Sequence, residues 1–203
     1  MNLDIILALV TAILTSVVGP IIVFYVRNFF DKKKKSENVF QDSIKANQLI
    51  TEKLENIRES IDSDRVWLLQ FHNGGHFYPT GKSIQKFSMV YELLKSDVFP
   101  CQYQFQNIPV SLFSKAIIYL SSGNNIVIED VDNNKNQAFT SVVSGAGVKS
   151  TYVFPIFNIK GEFVAIVGAD FVKNKVLLSE QDITNIEIET SVIGGVLMNY
   201  LQS

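Results

Sequence analysis

The sequence predicts an α+β protein. A single N-terminal transmembrane helix and a connector helix lead into a domain whose central antiparallel sheet is flanked by helices. Three stretches carry this expectation. Leu3 to Val26 is predominantly apolar, and its only charge is Asp4 at its edge; about 20 apolar residues cross a bilayer. Thr151 to Phe157 and Phe163 to Phe171 are two runs of β-branched and aromatic residues around Asn158-Ile-Lys-Gly161, which reads as a β-hairpin with a short glycine-containing loop. Ser179-Glu-Gln-Asp182 then opens an apolar-periodic helix that runs to the C-terminus.

Composition bounds the function classes. The 203 residues carry a formal net charge of -2, with 47% hydrophobic and 19% charged residues. That excludes a disordered chain and offers no basic excess for nucleic acid. The single cysteine, Cys101, excludes an internal disulfide and an all-cysteine metal site.

Four segments follow in order: an anchor over 1–27, a basic juxtamembrane segment over 28–35, a connector helix over 36–62 and a domain over 63–203. The N-terminal run has no Lys or Arg before it and is too long for a cleavable signal peptide. Gly19-Pro20 is a kink that membrane helices tolerate. Tyr25, Phe29 and Phe30 suit an interfacial aromatic belt, and Arg27, Lys32, Lys33, Lys34 and Lys35 follow. The positive-inside rule places the C-terminal side in the cytoplasm, as a single-pass protein of the inner membrane. Ser36-Glu37 is a helix start for the connector. Ile50, Leu54, Ile57 and Ile61 form a heptad-like stripe that packs on the domain or pairs with a twin.

Asp64 to Phe71 reads as a buried strand, His72-Asn-Gly-Gly-His76 as a tight turn, and Phe77 to Gly81 as loop. Ser83 to Leu93 is a second strand region, although Glu92-Leu-Leu-Lys could be helical. Tyr103 and Phe105 alternate with glutamines, which predicts a strand with one wet face. Pro109-Val-Ser111 opens a helix to about Leu120, Ile126 to Val131 is a short strand, and Gln137 to Val143 a short helix. Both hairpin runs are nearly continuous in apolar residues, so both faces are expected to be covered. Pro155 has no N–H and is expected beside an unpaired edge or a bulge. The last helix carries Ile183, Ile186, Ile193, Leu197 and Tyr200 with Thr190 between them, and Gly194-Gly195 allows another helix to approach closely.

The polar cluster His72, Asn73 and His76 is the most conspicuous candidate site. As metal ligands the histidines have the i, i+4 spacing of a helix, but two glycines between them oppose a helix and no third ligand is evident. The local reading is a tight turn bonded by His72 and Asn73. A ligand-lining role would involve His72, Asn73, His76, Tyr78 and Tyr91. Trp67, Phe71, Tyr91, Phe105, Phe154 and Phe157 read first as core aromatics. No paired carboxylates, metal set or nucleophile–base pair can be placed, so no enzyme, cofactor or metal is expected.

The order of segments resembles a GAF domain over roughly residues 40 to 201. The likeness rests on the apolar strand ending in Pro155, the polar-Gly turn, the strand ending in Gly168, the Ser179-x-x-Asp182 helix, and the middle strand Asn124-x-Ile-Val-Ile-Glu-Asp-Val131. It implies a GAF/PAS-like sheet, first and last helices together on one sheet face, and a dimer through them. Some GAF relatives attach a bilin to a cysteine that His directly follows, whereas Gln102 follows Cys101. Relatives that bind cyclic nucleotides carry Asn-Lys…Phe…Asp-Glu; Asn134-Lys135 and Phe139 begin such a string, but no Asp-Glu completes it.

Two functional classes follow. The first is a membrane-anchored, non-catalytic sensor or interaction module. It holds a small-molecule ligand or a regulatory protein and acts through a partner or as a homodimer or homo-oligomer. The second comes from a resemblance to T-even-type phage holins, lysis proteins with one membrane helix, a connector and an α/β domain. They oligomerise in the inner membrane and are regulated through the soluble domain. Those holins place basic residues before the membrane helix, while here the basic run follows it.

Overall fold

The computed structural model describes residues 16, 18–76, 81–134 and 144–201, with backbone only over 30–39 and 199–201. The chain divides into two compact units, Met1–Lys45 and Ala46–Ser203. Helix α1 spans Gly19–Ser60. The expected fresh start at Ser36-Glu37 is absent. From Ile21 to Ser60 the sequence contains neither Gly nor Pro, so nothing in it breaks the backbone hydrogen-bond ladder. Among the described residues no helix is long and apolar enough to cross a membrane, and most of the span expected over Leu3–Val26 lies outside them.

In the second unit, α1 presents Ile50, Leu54 and Ile57 to the core. It ends where Asp62 turns left-handed at φ 52°. The Ser63 N–H then reaches Arg58 O at 3.0 Å and the Asp62 N–H reaches Glu59 O at 3.3 Å. This satisfies two of the carbonyls that a helix end leaves open.

One six-stranded antiparallel sheet follows, in the order β3-β2-β1-β6-β5-β4. Its strands are β1 (Arg65–His76), β2 (Ser83–Leu94), β3 (Ile108–Pro109), β4 (Ile126–Ile128), β5 (Ser150–Phe157) and β6 (Phe163–Phe171). The expected tight turn at His72–His76 is instead the end of β1, and Glu92-Leu-Leu is strand. Asn73 pairs with Gln85 and His76 with Ser83, so Gly74 and Gly75 together oppose Ile84. The two glycines form a bulge rather than a reversal, with Gly75 at φ 102°. A second bulge places Val90 between the pairs Leu68–Tyr91 and Leu69–Met89.

The strand expected around Tyr103 and Phe105 is a single 3-10 turn over Gln102–Gln104. Gln104 and Gln106 are exposed as expected, but two of the glutamine side chains are bonded to β2. Gln102 Nε2 donates to Met89 O at 3.1 Å and Gln106 Nε2 to the same oxygen at 2.8 Å. The side chains thus tie the turn to the bulged part of β2. A second 3-10 turn (Val110–Phe113) leads into α2 (Ser114–Ser121). The helix expected over Gln137–Val143 lies outside the described residues, as do Lys135 and Phe139.

The hairpin forms as expected, and β4 pairs only with Thr151–Val153. Pro155 therefore lies past the end of β4, where its missing N–H costs no ladder bond. Helix α3 (Glu180–Leu201) starts with a reciprocal cap. Asp182 N–H donates to Ser179 Oγ at 3.2 Å and Ser179 N–H to Asp182 Oδ2 at 3.0 Å.

Both sheet faces are covered. On one, Ile50, Leu54 and Ile57 of α1 and Ile186, Ile193 and Leu197 of α3 pack on Val66, Leu68, Tyr152, Phe154, Ile156 and Val167. On the other, the segment from Cys101 through α2 covers Trp67, Leu69, Phe87, Met89, Val153 and Ile166. The close approach at Gly194 is to the sheet, not to another helix. A Cβ there would stand 2.1 Å from Phe157 O, while Gly195 has nothing within 4 Å.

Candidate functional site

Strand alternation sends Arg65, Trp67, Leu69 and Phe71 of β1 to the face away from α1 and α3. Leu69, Phe87, Met89, Phe105, Phe113, Ile117, Leu120, Val153 and Ile166 line an apolar cavity of about 50 Å³ there. Trp67 forms a wall, Ala116 and Ala146 are the small residues around it, and Arg65, Cys101 and Asp170 close one end.

That end is a buried ionic cluster. The side chains of Arg65, Glu92 and Asp170 are 2%, 2% and 3% exposed. Arg65 is directly opposite Asp170 across β1–β6, and Trp67 is opposite Glu92 across β1–β2, so register alone brings the four together. Asp170 Oδ2 accepts from Arg65 Nη1 at 3.2 Å and from Trp67 Nε1 at 2.9 Å. Its Oδ1 accepts from Thr151 Oγ1 at 2.7 Å. Arg65 Nη2 donates to Phe99 O at 3.0 Å. Glu92 accepts from the Cys101 and Gln102 N–H groups at 2.8 and 3.0 Å. With Thr151, the cluster therefore joins four strands, β1, β2, β5 and β6, to the turn that covers the cavity.

Complete burial pushes the Asp170 carboxyl up, against the opposing pull of Arg65, Thr151 and Trp67. Burial, with the Glu92 carboxylate 3.2 Å from the sulfur, pushes the Cys101 thiol up to about 12. A thiol held protonated is a poor nucleophile.

The candidate residues read from the sequence lie elsewhere. His72 shares a face with Ser88, its Nε2 2.9 Å from Ser88 Oγ, and Ser88 Oγ also accepts the Asn107 N–H at 2.9 Å. Asn73 Oδ1 accepts from Ser83 Oγ and Gln85 Nε2, each at 3.1 Å. His76 is exposed at the end of β1. Tyr91 packs on the helix-face core, and its hydroxyl donates to Asn47 Oδ1 of α1. None of these four lines the cavity, and Tyr78 lies outside the described residues. Among the described residues no group of three or more His, Cys, Asp and Glu is arranged to hold a metal ion.

Of the interface set, Tyr25, Arg27 and Phe29 are exposed on α1. The side chains of Phe30, Lys32, Lys33, Lys34 and Lys35 are not described.

The sequence carried a signal for the true cluster. Arg65 and Asp170 are charges beside the apolar runs Val66–Leu69 and Val164–Ala169, and Glu92 stands among Tyr91, Leu93 and Leu94; a charge that such strands bury must be paired. What the sequence does not give is the register that pairs them.

Several solved structures share this fold. The photoproduct state of GAF3 from Slr1393 of Synechocystis sp. PCC6803 has a TM-score of 0.61 and 12% identity, covering 77% of this chain and 96% of that one. The phycoerythrobilin-bound GAF domain from a cyanobacterial phytochrome has a TM-score of 0.61 and 16% identity, covering 82% and 96%. The blue-light absorbing form of the Thermosynechococcus elongatus PixJ GAF domain has a TM-score of 0.60 and 12% identity, covering 79% and 90%. No family model matches the sequence, and no curated protein matches it. The chain has the GAF fold. None of these neighbours is described as a lysis protein, the alternative raised by the order of segments.

Proposed function

We propose that this chain is a non-catalytic, ligand-sensing GAF module tethered to a membrane by its N-terminal segment. The observation that carries the reading is the apolar cavity beside the Arg65–Asp170–Glu92 cluster. A ligand there would touch β1, β2, β6 and the covering turn at once. The neighbours named as phycoerythrobilin-bound or as photoproduct states support a sensing use of the fold.

A bilin is not the ligand this reading favours. Drug-sized ligands occupy pockets of roughly 300–1,000 Å³, several times the volume present. Cys101 is followed by Gln102, and its thiol is held protonated.

The tether is supported by the apolar run Leu3–Val26 and the basic residues after it. They orient the folded domain to the cytoplasm. Self-association is supported by Ile188 and Val192, 59% and 40% exposed on α3; sedimentation of the full chain in detergent as a monomer at every concentration would reject it.

The test of the main reading has two arms. A reporter fused after Ser203 is expected to be active only on the cytoplasmic side, without arrest of growth on induction. A periplasmic reporter with sudden lysis would replace the sensor by a holin. Thermal unfolding of the full chain in lipid nanodiscs is expected to rise with a ligand, and to stop responding in an Ala116→Leu variant that fills the cavity. A ligand response that survives that variant would remove the cavity from the reading.

A further inference from the structure

We infer that the cavity beside Trp67 selects a small, wholly apolar molecule of about two to four non-hydrogen atoms, a gas or short hydrocarbon with no hydrogen-bonding group. The inference rests on the ligand-sensing reading above and names the ligand class.

Size comes first. The cavity measures about 50 Å³. That is a third of the roughly 150 Å³ that admits benzene, and several times the roughly 10–15 Å³ that one water needs. Protein interiors hold few voids larger than a water molecule. Two of the lining residues here, Ala116 and Ala146, are small, and a larger apolar side chain at either would fill the space. An empty cavity costs stability in proportion to its volume, and a guest that fits returns that cost.

Polarity decides the rest. Leu69, Met89, Ile117, Val153 and Ile166 line the space with hydrocarbon. The polar groups at its one end are committed to one another. Asp170 accepts from Arg65, Trp67 and Thr151. Arg65 donates through Nη1 to Asp170 and through Nη2 to Phe99 O. Its Nε lies 3.3 Å from the Glu92 carboxylate, which is not among the lining residues. The Cys101 thiol donates to the same carboxylate at 3.2 Å. The cluster is thus closed on itself, and a guest gains only contacts with hydrocarbon.

Polar competitors lose by the same physics. A buried water needs two to four polar partners, whereas an apolar guest needs none. A carbonyl, a hydroxyl or an ion gives up its hydration here with nothing in return. One unanswered polar group lowers affinity by roughly tenfold or more. Shape and dispersion are the only attraction left, so three atoms at the best efficiency per atom reach about 1 mM.

Three methionines make the test direct: Met1, Met89 and Met198. Met89 lines the cavity and Met198 lies on α3, away from it. The full chain, labelled with ¹³C-methyl methionine in lipid nanodiscs, is titrated with propane, dimethyl ether and benzene. Propane and dimethyl ether have the same shape and differ in one oxygen. Concentrations are those dissolved in the water phase, so uptake by the lipid does not enter. Propane is expected to shift the Met89 methyl signal saturably and leave Met198 in place. Dimethyl ether is expected to need at least tenfold more, and benzene to leave Met89 unmoved. Ala116→Leu and, separately, Ala146→Leu are expected to remove the propane response; an unmoved Met198 signal reports that each variant is folded.

Dimethyl ether binding as tightly as propane overturns the apolar class, because the cavity then supplies a polar partner. Benzene binding overturns the size limit. A propane response that survives both variants overturns the place. A Met89 signal that no small probe moves, but that phycoerythrobilin or a cyclic nucleotide moves in a manner blocked by Ala116→Leu, rejects this ligand class and leaves the sensing reading standing. A Met89 signal that nothing moves rejects both.

Discussion

The indole of Trp67 occupies the space that a side chain at Gly168 would take. The two residues face each other on β1 and β6, and a Cβ at Gly168 would stand 2.0 Å from Trp67 Cζ2. The missing side chain is what lets Trp67 reach Asp170 with its N–H and still form a wall of the cavity. Gly168→Ala is expected to destabilise the fold by about 1–3 kcal/mol, the usual cost of overpacking. Urea unfolding followed by the emission of Trp67, the chain's single tryptophan, measures this. An unchanged midpoint would mean that the indole has room elsewhere.

Asp170 accepts three hydrogen bonds, from Arg65, Trp67 and Thr151. Asp170→Ala leaves three buried donors unanswered and is expected to cost about 3–5 kcal/mol. By contrast, Asp130→Asn weakens solvent-accessible contacts, the ion pair with Lys175 and the bond from Asn133 Nδ2, and is expected to shift the denaturation midpoint much less. Similar effects of the two variants would contradict the burial assigned to Asp170.

The same carboxyl predicts a pH dependence. Burial raises its pKa in the folded chain, so folding favours the protonated form. Its contribution is full below the ordinary carboxylate range near 3.9 and is lost as pH rises through the raised value. Asp170→Asn removes this titration. The stability of wild type relative to the variant is therefore expected to fall as pH rises above the ordinary carboxylate range. A constant difference would mean that Asp170 titrates normally.

Cys101 is expected to resist alkylation. With its pKa near 12, its thiolate fraction at pH 8 is about a thousandfold below that of an ordinary thiol near 8.5. Iodoacetamide should label the native chain at least that much more slowly than the urea-unfolded one, as mass spectrometry will show. The linkage has a definite sign. The stabilisation from the neutral buried thiol is full below about 8.5 and falls as pH climbs toward 12. Rapid native labelling would show a reactive cysteine and reopen covalent ligand attachment.

Adjacent glycines in α3 should respond in opposite ways. At Gly194 a Cβ meets backbone, Phe157 O at 2.1 Å, whereas at Gly195 it meets open space. Gly194→Ala is expected to destabilise by about 1–3 kcal/mol through displacement of the helix from β5. Gly195→Ala is expected to stabilise by roughly 0.5–1 kcal/mol, because alanine is the better helix former. The order of the two melting temperatures decides it.

The sequence by itself determined the elements whose signals are local. The hairpin of Thr151–Phe157 and Phe163–Phe171, the Ser179–Asp182 cap and the stripe Ile50, Leu54, Ile57 follow from periodicity, turn residues and capping chemistry, which neighbouring residues specify among themselves. Where a distant partner competes with a local preference, tertiary structure decided. Gly74-Gly75 could have made a turn; pairing with β2 drew them into a bulge. The alternation around Tyr103 and Phe105 suits a strand, but Gln102 and Gln106 bond the Met89 carbonyl and hold a 3-10 turn. The cavity belongs to the same class. Arg65, Glu92 and Asp170 are isolated charges along the chain, and only the register of three strands makes them one buried cluster, because a charge in the interior persists only where the fold supplies its partner.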